Sequence, residues 1–282
     1  MVKLQADEQQ QMADFIYSLC AISLDASKGY LIENRLSHLV EETGCRSFRE
    51  LLNRAKAETD GAIKRRIVSG ITTNETLFFR DSAPFELLRH KLIPELVDRR
   101  NAAGGNAPIR VWSAACSTGQ EIYSTAIVLK EVLGDPFRYG VRLLGTDISD
   151  EAVAKASKGV FSPVEIARGL ADSARMKYFR EVPGGWQIAD ELRAMVSFKK
   201  RNLMQNFADL GKFDIVFCRN VAIYFNERDK AELFRRLAGA LDRDGVLLIG
   251  AMESLSGIAP QFESQRYQRT VFYRTKPLAP RA

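Results

Sequence analysis

The stretch "VWSAACSTGQEIYS", residues 111–124, decides the fold. An apolar run enters a turn of small residues and leaves as a helix. Ser113, Ala114, Ala115, Ser117 and Gly119 are small enough for a ligand to approach the backbone, and Glu121 falls in the first helical turn. Gly119 is the only glycine, so the GxGxxG dinucleotide fingerprint is absent. A carboxylate at Glu121 stabilises the helix dipole; it can also bind a ligand's cationic group.

Downstream, strands and helices alternate. "YGVRLLGTDIS" reads as a strand, "DEAVAKASKG" as a helix opened by Ser149 or Asp150, and "KFDIVFCRNVAIYF" contains a buried strand. "ERDKAELFRRLAGAL" is an amphipathic helix, "DGVLLIGAME" a further strand and "YQRTVFYRT" a closing strand. This alternation predicts an α/β fold, a mainly parallel sheet with helices on both faces. Residues 178–198 interrupt it, and Pro183, Gly184 and Gly185 predict a small β-hairpin insertion there.

Upstream, residues 1–72 read as a separate all-helical domain, with 73–282 as the α/β domain. In "GYLIENRLSHLVEETG", Leu31, Ile32, Leu36, Leu39 and Val40 share one side and Gly44 ends the helix. Ser47 with Glu50 three residues on predicts a capping box. Ile63, Ile67 and Val68 share a face of the next helix.

The bulk numbers exclude several classes. The chain has 282 residues, 46% hydrophobic and 27% charged, as in ordinary globular proteins. No apolar run approaches the roughly 20 residues needed to cross a bilayer. The start is too acidic and polar for a secretory signal, so a cytoplasmic location is expected. Cys20, Cys45, Cys116 and Cys218 lack zinc-like spacing, and His38 and His90 are too few for a histidine metal site. No metal is expected. Net charge is +6, yet residues 1–72 carry ten basic and ten acidic residues. The runs "KRR" at 64–66 and "KKR" at 199–201 read as solvated surface, and no Asn/Asp-Pro-Pro-aromatic base clamp is present. Nucleic acid is therefore not the expected partner; an acidic protein fits the mild positive excess.

Ligands of such sheets bind beyond the carboxyl ends of the strands. Asp147 stands at the tip of the second strand, where an acid accepts from ribose hydroxyls; Ser149 and Asp150 already suffice to cap the next helix. A ribose acid without phosphate-binding glycines suggests a nucleoside lacking phosphates, of which S-adenosylmethionine (SAM) is the commonest such cofactor. Asn220 and Tyr224 leave the third strand on the ligand side, and "RNL" at 201–203 can flank the adenine.

"SGITTNETLFFRD" (69–81), "VWSAACSTGQEIYS", "LLGTDIS" (143–149), "KRNLM" (200–204) and "FDIVFCRNVAIYF" (213–225) together resemble the chemotaxis receptor methyltransferases, the CheR family. The resemblance covers nearly the whole chain. It implies a SAM-dependent enzyme that esterifies glutamates on the cytoplasmic helical domain of methyl-accepting chemotaxis receptors and releases S-adenosylhomocysteine (SAH). By position, it implies that Asn74, Thr76 and Arg80 contact the cofactor from the opening segment. Glu121 would hold its amino group and Asp147 its ribose, with Asn202 and Leu203 along the adenine and Arg219 and Asn220 completing the pocket. Arg80 and Tyr224 match the family's active-site pair, and Arg35 matches a basic position that docks on receptors. Leu77, Phe78 and Phe79 then pin a polar lid to the core.

The sequence departs from the pattern at Gln120, Ile122 and Met252, and Glu41 and Glu42 stand where relatives carry more arginines. The short hairpin at 178–198 implies independence from a receptor tail peptide. Nothing demands more than a monomer. The alternative reading is a non-catalytic SAM-binding sensor or scaffold.

Overall fold

The computed structural model describes residues 2–104 and 107–276. Residues 1, 105–106 and 277–282 of the two expected domain ranges lie outside the described residues.

Four helices form the first unit: α1 (Ala6–Cys20), α2 (Gly29–Glu42), α3 (Phe48–Ala57) and α4 (Ala62–Ile71). Their apolar stripes meet in one core containing Met12, Ile16, Ile32, Leu36, Phe48, Leu51 and Ile67, all buried. Burying each such side chain is worth about 1.5–3 kcal/mol. Leu31, expected on that stripe, is only half-buried. Ser47 caps α3 through Glu50 N–H, but the Glu50 carboxylate accepts from Arg46 N–H rather than Ser47 N–H, so the expected box is not reciprocal.

Residues 83–102, unassigned from sequence, form α5 (Ala83–Leu87) and α6 (Ile93–Ala102), joined through a wider π turn over Leu88–Leu92. Each of the two helices carries a proline in its first turn, where no backbone N–H is needed.

The α/β unit then runs β1 (Arg110–Ala114), α7 (Gln120–Leu133), β2 (Arg142–Asp147) and α8 (Asp150–Lys158). Next come β3 (Val160–Phe161), α9 (Pro163–Ala167), α10 (Asp172–Tyr178), β4 (Phe179–Val182), β5 (Gly185–Ile188), α11 (Asp190–Arg193) and β6 (Val196–Lys200). The chain ends with β7 (Phe213–Cys218), α12 (Glu227–Ala240), β8 (Leu241–Ile249), β9 (Phe262–Tyr267) and β10 (Thr270–Thr275).

Seven strands form one sheet in the order β6-β2-β1-β7-β8-β10-β9. β6, β2, β1, β7 and β8 are parallel neighbours, and β10 and β9 add antiparallel. One apolar cluster, with Val111, Ile127, Phe217 and Leu248, covers one face; another, with Trp112, Val216, Leu233 and Leu247, covers the other. Burial on both faces explains the near-continuous apolar runs of the central strands. Chain order reverses at β1, between β2 and β7, which opens a crevice at their carboxyl ends.

Two expectations need correction. The hairpin expected over 178–198 is β4–β5 alone; with β3 it forms a separate three-stranded sheet, whereas Val196–Lys200 pairs with β2 as an edge of the main sheet. Three of those five edge residues are polar, and the run carries no buried-strand signature. The single closing strand is a hairpin, β9 turning into β10.

Candidate functional site

At the end of β1 the backbone turns through Ala115 (φ 64°) and Ser117 (φ 50°), an uncommon conformation for residues with side chains. The turn aims Ser117 N–H at Asp147 Oδ2, 2.9 Å away, and Ser149 N–H reaches Asp147 Oδ1 at 3.0 Å. Asp147 is buried at 7% exposure. Burial pushes its carboxyl above the usual aspartate range, and the backbone N–H groups oppose this. Ser149 caps α8 through Ala152 N–H, so Asp147 does not serve that cap.

Glu121 lies in the first turn of α7, and its carboxylate turns back to the sheet. It accepts from Ser113 Oγ at 2.7 Å and from Arg219 at 2.9 Å. Arg219, just past β7, is buried. Its other nitrogen donates to Arg80 O and Asp81 Oδ2, each at 2.8 Å. One guanidinium therefore ties the opening segment to the start of α7. Asn220 follows with φ 57°, and its N–H donates to Glu253 Oε2 at 2.8 Å, which also accepts Gly250 N–H.

The opening segment is pinned from below. Phe78 is fully buried, edge-on to Phe161 and Phe179, and Phe79 packs on Phe85 while its N–H donates to Ser124 Oγ. Asn74 O accepts from Ser117 Oγ at 3.0 Å, and Arg80 donates to Glu75 O at 3.0 Å. Gly169, with φ 90°, passes so close beneath that a Cβ there would stand 2.0 Å from Phe78 O.

These elements enclose one pocket. Asn74, Thr76, Arg80, Glu121, Asp147, Asn202, Leu203, Arg219, Asn220 and Tyr224 all line it. Arg35 lies elsewhere: it donates to Ile71 O and Thr73 Oγ1, bracing the link between the two units. Sequence reasoning missed the contribution of the helical unit, whose Cys20 and Ile22 also line the pocket. It missed Asp81 and Glu253 as well, the acids that hold Arg219 and Asn220. Asn202 spends both ends of its amide on the protein, donating to Leu19 O and accepting Met204 N–H.

Against known families, residues 7–71 match the CheR methyltransferase all-alpha domain and residues 74–271 its SAM-binding domain. The chain belongs to the CheR methyltransferase family. It is 38% identical to the chemotaxis protein methyltransferase Cher2 of Pseudomonas putida, over 95% of this chain and 97% of that one. It is 37% identical to chemotaxis protein methyltransferase 1 of Pseudomonas aeruginosa, over 93% and 95%. With chemotaxis protein methyltransferase 1 of Vibrio cholerae the identity is 37% over 98% and 99%.

The family's cofactor is SAM, and the donor set fits it. Two carboxylates, Asp147 buried and Glu121 partly so, suit hydroxyls and an ammonium, and apolar Ile148, Leu203 and Phe225 suit a flat heterocycle. No histidine lines the pocket, and no group of three or more potential metal-ligating side chains occurs among the described residues. Burial pushes the Cys20 thiol up to about 11 and the Cys116 thiol well above its ordinary value, so neither pocket thiol is a ready thiolate at neutral pH. No helix among the described residues is long and apolar enough to cross a membrane.

Proposed function

We propose that this protein transfers a methyl group from SAM to glutamate side chains on the cytoplasmic helical domain of methyl-accepting chemotaxis receptors. One observation carries the reading. Arg80 and Tyr224 line the same pocket as Asp147 and Glu121, which supports a reading in which a carboxylate substrate meets the cofactor beside a cation and a phenol.

The chemistry needs little from the protein. A glutamate with pKa near about 4.3 is ionised roughly 500 to 1 at pH 7, so no general base is required. When bound, SAM would supply an electrophilic methyl on its sulfonium, and transfer to a carboxylate oxygen would leave a neutral ester and SAH. Opposite charges vanish on the way, so strong ground-state stabilisation of either would slow the step. Alignment is the main task.

Arg80, held by Glu75 O, orients the carboxylate, and Tyr224 donates a hydrogen bond to it or shapes its slot. Asn74, Thr76, Arg80, Asn202, Leu203 and Asn220 contact the cofactor, with Asp147 on its ribose and Glu121 at its amino end. Arg219 acts chiefly through Glu121 and Asp81. Arg35 docks on the receptor with whatever of its fork the link leaves free. The β4–β5 turn is the tight pair Pro183–Gly184, which supports independence from a receptor tail peptide.

The test is tritium-methyl SAM with receptor-containing membranes, scored for base-labile methanol and mapped by mass spectrometry. Label on receptor glutamates as methyl ester supports the reading. Base-stable label, or SAH binding without any transfer, overturns it, the latter in favour of a sensor.

A further inference from the structure

The end of α1 and the turn after it, Leu19 to Ser23, place Cys20 and Ile22 on the pocket wall and offer two backbone groups to the α/β unit. Leu19 O holds the Asn202 amide, and Ser23 N–H donates to Tyr224 O at 2.9 Å. The Tyr224 ring packs against the core of the helical unit, not against the sheet's two clusters. Tyr224 is therefore seated against the helical unit, although its loop neighbours Ala222 and Phe225 pack in the α/β core.

One side-chain cluster fixes that seat. The Tyr17 hydroxyl, on α1, donates to Asp229 Oδ2 at 2.7 Å. Asn226 Nδ2 donates to the same hydroxyl at 3.1 Å and to Asp229 Oδ2 at 2.9 Å. Asn226 is the N-cap of α12, accepting Asp229 N–H, and stands two residues after Tyr224. Asp229 is 9% exposed. A hydroxyl bonded to a poorly solvated carboxylate makes a charge-assisted bond, stronger than a neutral one. Tyr224 is thus bracketed by two links to the helical unit: Ser23 on its own carbonyl and Tyr17 on the residue that starts α12.

We propose that Tyr17 is a positioning residue for Tyr224, acting through Asn226 and Asp229. It rests on the reading of Tyr224 given above. Tyr17 lines no part of the cofactor pocket among the described residues; its hydroxyl is bonded to Asn226 and Asp229, where the 222–226 loop joins α12. The helical unit then does more than meet the receptor; it sets where the phenol stands.

The experiment measures methyl transfer to receptor-containing membranes and SAH affinity by calorimetry for Y17F, Y224F, the double variant and N226S. Serine keeps the α12 cap but removes the amide donor to Tyr17, which guards against a trivial folding defect. Loosened placement is expected to lower kcat about tenfold in Y17F and in N226S, with SAH affinity within about twofold of the parent. In the Y224F background, Y17F should cost nothing further, because there is no phenol left to place. An unchanged kcat in Y17F overturns the proposal. So does a Y17F loss that multiplies in full on Y224F, or a parallel fall in SAH affinity, each of which marks a merely structural residue. Full activity of Y224F overturns the reading of Tyr224 and this inference with it; a slow Y224F beside a fast Y17F removes only this one.

Discussion

Arg219 and Glu121 form an ion pair of 2.9 Å in which the arginine side chain is 1% exposed and the glutamate 12%. Asp81, 40% exposed, completes the bridge at 2.8 Å. Removing one partner of a buried pair strands the other charge. Arg219→Ala should therefore destabilise the protein by about 3–5 kcal/mol, nearly all through Glu121, since the exposed Asp81 contact adds little. Urea unfolding measures it, and a loss under about 1 kcal/mol would show that the bridge is dispensable.

Arg80 differs in kind, because it is half-buried and its side chain, among the described residues, is bonded only to Glu75 O. Arg80→Ala should lower kcat far more than it weakens SAH binding. Equal losses in both would make Arg80 a cofactor ligand and nothing else.

Asp147→Ala should weaken SAH binding by about 1.5–3 kcal/mol, the scale of a bond to a charged group. Acidification should act on the same carboxylate. Burial raises its pKa, and protonation removes its acceptor capacity, so affinity is full above the raised value and declines as pH falls through it. The decline should begin at higher pH than for an ordinary aspartate near about 3.9. Calorimetry across mildly acidic buffers tests this; a Kd flat down to pH about 4 would refute the assignment.

Gly169 and Gly184 both hold positive φ, 90° and 84°, but only Gly169 lies against a carbonyl. Gly184→Ala meets open space and should cost only the backbone strain, about 1 kcal/mol. Gly169→Ala must also displace Phe78 O and with it the segment that carries Arg80. It should cost about 1–3 kcal/mol more and lower activity out of proportion to stability. Similar unfolding midpoints for the two would show that the close approach beneath Phe78 is not rigid.

Much of this site was legible because its chemistry stands at strand tips. Asp147, Arg219 and Asn220 each follow an apolar run, and the loop after a parallel strand has one place to go. The opening segment was legible through Phe78 and Phe79, aromatics too costly to leave in water beside so many polar groups. What escaped the sequence acts through backbone or across domains. Leu19 and Ser23 contribute a carbonyl and an N–H, which every residue carries, so no residue type marks them. Asp81 and Glu253 read as ordinary surface acids until the fold brings them to Arg219 and Asn220. The edge strand β9 escaped because exposed edges carry alternating or polar residues instead of a buried run. Lys64 and Arg65 of one basic run and Lys200 and Arg201 of the other line one groove; Asp150 pairs with Arg65 and Lys200, Asp209 with Arg201 and, outside the groove, Glu42 with Arg66. Much of their charge is thus matched by the protein's own acids.

The pocket itself is tested most directly by a crystal structure of the protein with SAH. The account predicts the ribose hydroxyls on Asp147, the amino group beside Glu121 and the sulfur facing Arg80 and Tyr224. SAH bound in any other cleft, or bound here with its ribose turned away from Asp147, would contradict it.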